Sequence, residues 1–192
     1  MVGSERESEC AGMVAELRGR LRHAAFGLLS RREYSRYELE QKLGQVAAKW
    51  QLSVAKSASS YQDDEESGAE VGVEFQLMVI AALLDDFQQR DYQSDQRFAE
   101  SLLRSRIARG QGVSRITQEL RHKGVSDELR TEVLEAAQVD WFELASELWQ
   151  RRFGPQPPAD YAQRAKQQRF LLYRGFTYDQ CIYAFEVEVE KK

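Results

Sequence analysis

Eleven basic side chains in the second half of the chain form the arrangement with the plainest chemical use. Arg97 and Arg104 stand seven residues apart and share one face of a helical segment. Arg106, Arg109, Arg121 and Lys123 cluster near the ends and turns of two such segments, and Arg115 shares a face with His122, with Gln118 between them. Further on, Arg164, Lys166, Arg169 and Arg174 form a second stripe with Phe170 and Tyr173 interleaved. A guanidinium can make two parallel hydrogen bonds to a phosphate or a carboxylate, so these groups suit a DNA backbone or an acidic protein surface. Contacts to phosphate carry no base information and weaken steeply with salt. The competing reading of any one of these residues is a solvated helix face with local ion pairs. Acids are scarce across both stretches and abundant elsewhere, which favours a binding surface. Aromatics among cations could stack on single-strand bases, but the helical spacing of Phe170 and Tyr173 assigns them to the core.

Signals for catalysis are poor. His23 and His122 are the only histidines, and neither has a Cys or carboxylate at ligand spacing. The four acids Asp63 to Glu66 lie in a polar stretch where consecutive carboxylates are simply solvated, and Asp85 and Asp86 point to different helix faces. Gly110-Gln-Gly112 follows a helical pattern, not a strand, so it is no phosphate-cradling loop. Cys10 and Cys181 form no Cys-x-x-Cys pair, which argues against a disulfide framework or a structural zinc. The expectation is a non-enzyme without cofactor or metal.

Net charge is −4 with a pI of about 5.4, an average that hides strong segregation. Arg18 to Arg36 carries six Arg against Glu33, whereas Ser59 to Asp91 carries nine acids against Arg90. Gln96 to Lys123 has seven basic residues against two acids, and Tyr161 to Arg174 has four against none. A polyanion senses such stripes rather than the net charge. The N-terminal Arg18, Arg20, Arg22, Arg31, Arg32 and Arg36 could extend the same surface. Early acids and the lack of an apolar h-region argue against a signal peptide, and no stretch approaches a membrane span of about 20 apolar residues. A cytoplasmic protein is the default.

The elements that must hold these residues are helical throughout. Gly followed by an apolar residue recurs at Gly72, Gly124 and Gly175, and this near-constant interval points to an array of like units. Residues 1–16 read as a disordered tail. The first unit, 17–90, has helices over Leu17–Arg32, from the Ser35-x-x-Glu38 capping box to about Ala48, and over Val73–Phe87, with an acidic insertion at about 50–72. The second unit, 91–138, holds helices starting at Asp95, Ser114 and Ser126. The third, 139–188, has helices over about Val139–Arg152, Asp160–Tyr173 and Thr177–Glu186. Gly124 and Gly175 are expected as left-handed helix stops, and Gly72 in the same role in the first unit. The fold class is all-α, three tandem three-helix repeats.

Several of these segments resemble the RecX family of RecA-recombinase modulators. They are Arg31-Arg-Glu-Tyr-Ser-Arg-Tyr-Glu-Leu-Glu-Gln-Lys-Leu43, Ser94-Asp-Gln-Arg-Phe-Ala-Glu100, Arg104-Ser-Arg-Ile-Ala-Arg-Gly-Gln-Gly112, Gln118-Glu-Leu-Arg-His-Lys-Gly124 and Arg174-Gly-Phe-Thr-Tyr-Asp179. The resemblance covers roughly Arg20 to Phe185. It implies an elongated, curved molecule that lies in the groove of a RecA–single-stranded-DNA filament and restrains recombinase, ATPase and co-protease activities. The implied partners are the RecA filament and, weakly and without sequence preference, single-stranded DNA, with the protein itself a monomer. Two departures stand out: the acidic insertion, and Asp91 where the family tends to have Gly before Tyr92. Two other functions compete with this one. A stand-alone DNA-binding protein is suggested by the short basic helix between Gly112 and Gly124, which is similar to a helix-turn-helix element. A scaffold for another protein partner would leave binding insensitive to salt.

Overall fold

The structure, a computed structural model, describes residues 2–58 and 66–190, with side chains over 11–55 and 72–186. Among the described residues there are nine α-helices and no strand. They are α1 (Val2–Leu29), α2 (Arg36–Ala58), α3 (Glu66–Gln89), α4 (Asp95–Ala108), α5 (Val113–His122), α6 (Asp127–Ala136), α7 (Trp141–Phe153), α8 (Tyr161–Arg174) and α9 (Tyr178–Glu190). The chain divides into two compact units, residues 1–95 and 96–192.

In the first unit, Leu17, Leu21 and Ala25 of α1 and Leu39, Leu43 and Ala47 of α2 recur every four residues. All are fully buried, against Ile80, Leu83, Leu84 and Phe87 of α3. Ser35 starts α2: its Oγ accepts from the Glu38 amide at 3.1 Å, while the Glu38 carboxylate takes two bonds from Arg32, at 3.1 and 3.2 Å. Three expectations are corrected here. α1 begins at Val2 rather than Leu17: the segment expected as a tail has no proline and carries Glu5, Glu7, Glu9 and Glu16 with Ala11 and Ala15, all good helix formers. α2 and α3 extend into the expected insertion, so that only residues 59–65 of it lie outside the described residues. Gly72 is inside α3 and stops no helix; Gln76 of α3 donates to Gln51 of α2 at 2.7 Å, and a Cβ on Gly72 would stand 2.8 Å from Gln51 Nε2. That glycine makes room for a polar bridge between helices.

The second unit has two cores. One joins Phe98, Ala99, Leu102 and Leu103 of α4 with Ile116 and Leu120 of α5 and Val133 of α6. The other joins Ala145, Leu148 and Trp149 of α7 with Leu171 of α8 and Cys181, Ala184 and Phe185 of α9. Trp149 is fully buried and its indole N–H donates to Gln167 at 2.7 Å, which removes the cost of an unpaired buried donor. Ser126 caps α6, Asp140 caps α7 and Asp160 caps α8. Thr177 and Gln180 exchange bonds at 2.9 and 3.3 Å, a capping box at the start of α9. Gly124 and Gly175 do adopt positive φ, at 75° and 95°. The polar alternation Glu186–Glu190 continues α9.

Candidate nucleic-acid interface

The site is assembled where α5 meets the end of α8. The Gly112 amide donates to Arg174 O at 2.9 Å, and the Ser114 amide to Gly175 O at 3.1 Å. The backbones approach so closely that a Cβ on Gly112 would lie 2.4 Å from Gly175 C and O. One on Gly175 would lie 2.5 Å from Arg115 Cβ. Two arginines lock the junction. Arg115 Nη1 donates to Tyr173 O at 3.1 Å, capping the last turn of α8, and Arg174 Nη1 donates to Arg109 O at 3.2 Å, just past the end of α4. Beside this junction runs an open groove of about 780 Å³, lined by Arg106, Arg109, Gln111, Arg115, Gln118, His122 and Tyr173 among others.

Charge in the groove is one-sided after local pairing. Its single lining carboxylate, Glu119, is held by Arg106 through two bonds of 2.7 and 2.6 Å. Hydrogen bonding from Arg106 holds the Glu119 carboxyl below its ordinary value, against an opposing push from burial, and the same bonds raise Arg106. Arg106 is therefore a structural partner, not a free phosphate ligand. Arg109 is exposed and makes no ion pair among the described residues, and Arg115 is committed only through one Nη to a neutral carbonyl. His122 and Gln118 are exposed on the same face of α5.

The eleven candidate residues do not form one patch. Arg106, Arg109 and Arg115 line the groove, and Arg174 braces it. Arg104 lies in a separate, more apolar cleft between α4 and α6 and approaches Glu100 at 3.8 Å. Arg97 and Lys123 are half-buried and engaged within the fold. Arg121 is exposed on α5, and Arg164 lies with its guanidinium 5.7 Å from the Phe185 ring. Lys166 and Arg169 share one exposed face of α8 with Tyr173, at i, i+3 and i+7. Phe170 packs on the third core and against Phe153, as its spacing implies. Tyr173 does not: it is 74% exposed in the groove, with the Arg115 guanidinium 5.2 Å from its ring centroid. Its helical spacing had assigned it to the core, although its place two residues before a helix-stopping glycine was a signal that the helix leaves the core there. Gln111 was missed; its Oε1 is buried and has no donor among the described residues.

Of the six N-terminal arginines, Arg18 and Arg31 are exposed without an ion pair among the described residues, and the other four are paired. Arg22 pairs with Asp86 at 3.3 Å, Arg32 with Glu38 at 3.1 Å, Arg36 with Asp85 at 2.8 Å, and Arg20 with Glu16 at 3.0 Å. Among the described residues no three His, Cys, Asp or Glu side chains converge as a metal site, and no helix is long and apolar enough to cross a membrane. Cys181 is buried, which pushes its thiol up to about 11 and leaves it a core residue rather than a nucleophile.

Comparison with known proteins decides the lineage of this arrangement. Residues 94–134 match the second three-helix domain of RecX and residues 138–185 match its third. The regulatory protein RecX of Chromohalobacter salexigens is 39% identical over 163 residues, covering 85% of this chain and 89% of its own. That of Serratia proteamaculans is 39% identical over 154 residues, covering 79% and 88%. The chain belongs to the RecX family. The crystal structure of RecX from Lactobacillus salivarius superimposes with a TM-score of 0.64 at 20% identity, covering 92% of this chain and 99% of that one. This supports the shared fold of tandem three-helix domains.

Proposed function

We propose that this protein binds the RecA–single-stranded-DNA filament and negatively modulates its recombinase, ATPase and co-protease activities. The observation that carries the reading is the groove at the α5–α8 junction, where Arg109 and Arg115 stand beside a carboxylate already neutralised by Arg106. Such a surface attracts a polyanion without reading its sequence. Three repeats, with boundaries near residues 90 and 138, supply several contacts in series, so that a bound molecule obstructs the entry of duplex DNA and of substrates whose cleavage the filament promotes. The reaction chemistry stays with the filament; this chain acts by occupancy, as a monomer in the cytoplasm.

A stand-alone helix-turn-helix function fits less well. In that geometry the last helix of a three-helix unit enters the major groove. Here α6 carries Asp127, Glu128, Glu132 and Glu135 against Arg130, and the start of α5 is covered by Gly175.

The test is co-sedimentation with preassembled filaments, together with filament ATPase and strand exchange, for the wild type and for Arg109→Glu/Arg121→Glu. The wild type is expected to sediment with filaments and inhibit both activities, and the double variant to lose at least about tenfold in affinity. Replacing two phosphate contacts lowers the salt slope by about 1.4 in log–log terms. No inhibition at any ratio of wild type to RecA would sink the proposal.

A further inference from the structure

We infer that Tyr173 is a base-stacking residue and that the α5–α8 groove, continued along α8 past Arg169 and Lys166, is a track for single-stranded nucleic acid. The inference rests on the reading of the groove as a polyanion site and adds the residue that holds the bases and the path the strand takes. Tyr173 is an aromatic with no place in either core of its unit, 74% exposed at the groove wall. Its position is fixed from the backbone outward. Gly112 and Gly175 let the end of α8 close on the start of α5, and Arg115 holds the Tyr173 carbonyl at 3.1 Å. The Arg115 guanidinium, 5.2 Å from the ring centroid, leaves the tyrosine paired with a cation and beside a phosphate-binding group. That combination of an aromatic face with flanking cations holds single strands, since every base offers a π-face and every linkage a phosphate. Lys166 and Arg169 share the exposed face of α8 with Tyr173, giving the backbone a continued path.

An acidic protein segment would satisfy the cations equally well but gains nothing from an exposed ring. Duplex DNA keeps its bases stacked and offers Tyr173 no face.

The experiment measures binding of the full chain, without RecA, to oligo-dT, to an abasic deoxyribose-phosphate strand of equal length and to poly-glutamate. Wild type, Tyr173→Leu, Tyr173→Phe and Arg109→Glu are compared. The wild type is expected to prefer oligo-dT over the abasic strand. Tyr173→Leu should reduce oligo-dT affinity roughly five- to one-hundredfold and change abasic-strand affinity less than about twofold, and Tyr173→Phe should restore binding because it keeps the ring. Arg109→Glu should weaken both strands together. Equal loss on both strands with Tyr173→Leu, no loss on oligo-dT, or preferred binding of poly-glutamate overturns the inference. Filament co-sedimentation of Tyr173→Leu separates the two levels. Wild-type co-sedimentation with no base preference defeats the stacking role alone, whereas absent co-sedimentation defeats the filament reading.

Discussion

In the first unit Arg22 reaches Asp86, Arg36 reaches Asp85 and Arg32 takes both oxygens of Glu38. In the second, Arg109, Arg121, Lys166 and Arg169 make no ion pair among the described residues. The two regions are equally arginine-rich in places, yet residues 1–95 hold eleven Lys or Arg against seventeen Asp or Glu, and residues 96–192 hold sixteen against fourteen. The difference is one of topology. Packing α3 against α1 and α2 brings Asp86 onto Arg22 and Asp85 onto Arg36, so part of a charge separated along the chain is cancelled in space. Arg22 also stacks 5.4 Å from the Phe26 ring and Arg32 3.6 Å from Tyr34, which commits their stems to packing as well. In the second unit the one carboxylate on α5, Glu119, is taken up by Arg106, α8 carries none within its span, and many of the remaining acids sit on α6 and α7. A basic stripe in sequence thus keeps its charge available only where the fold leaves its counter-charges elsewhere.

The comparison can be broken most severely at the glycine junction. Gly175→Ala places a Cβ at φ 95° and 2.5 Å from Arg115 Cβ, and should cost about 2–4 kcal/mol by urea unfolding while disordering the groove. In the first unit Gly27→Ala adds a methyl that meets nothing within 4 Å on an exposed helix and should stabilise by about 0.5–1 kcal/mol. Equal effects of the two substitutions would deny that close backbone approach shapes the second unit alone.

Next in size is the exchange of arginine roles. Arg22→Ala/Arg36→Ala should lower the unfolding midpoint and leave filament affinity within about twofold. Arg109→Glu/Arg121→Glu should do the opposite, with at least about a tenfold loss of affinity. If the first pair weakens binding as much as the second, the division of labour is wrong.

The Arg106–Glu119 pair then gives a pH signature. The Glu119 carboxyl is held below its unfolded value by the Arg106 hydrogen bonds, so its contribution is complete above about 4.5. It drains away as pH falls through the lower folded value. Wild type and Glu119→Gln should differ by about 1–2 kcal/mol in urea unfolding at neutral pH and converge in acid. A gap that persists unchanged at low pH would show that the pair matters by shape, not charge.

The smallest effect is expected at Asp91, which sits at φ 57° ahead of α4. Asp91→Gly should gain about 0.5–1 kcal/mol by releasing the left-handed strain, measured as a raised thermal midpoint, with no change in binding. The resemblance to a family that tends to place glycine here was the sequence-level hint of this backbone geometry.

Much of the fold was legible because amphipathic spacing has a direct physical reading. The Leu17–Leu21–Ala25 and Leu39–Leu43–Ala47 ladders, the caps at Ser35, Ser126, Asp160 and Thr177, and the stops at Gly124 and Gly175 each follow from local backbone needs. Gly72 was not legible, because a glycine that relieves a helix crossing and one that ends a helix look alike without knowing what crosses. Arg106 looked like its neighbours Arg104 and Arg109 until α5 brought Glu119 against it, thirteen residues away. Tyr173 matched the apolar rhythm of α8 but falls where the helix has passed the core.

The sequence by itself determined that the chain is helical and where most helices of the second unit begin and end, because these depend on interactions within a few residues; α5 opens at Val113 behind Gly112 rather than at Ser114, and α9 runs on to Glu190. Which charges remain available was decided only by tertiary structure. Ion pairs form between residues that packing brings together, and the pairs that matter here span up to 64 positions in the chain.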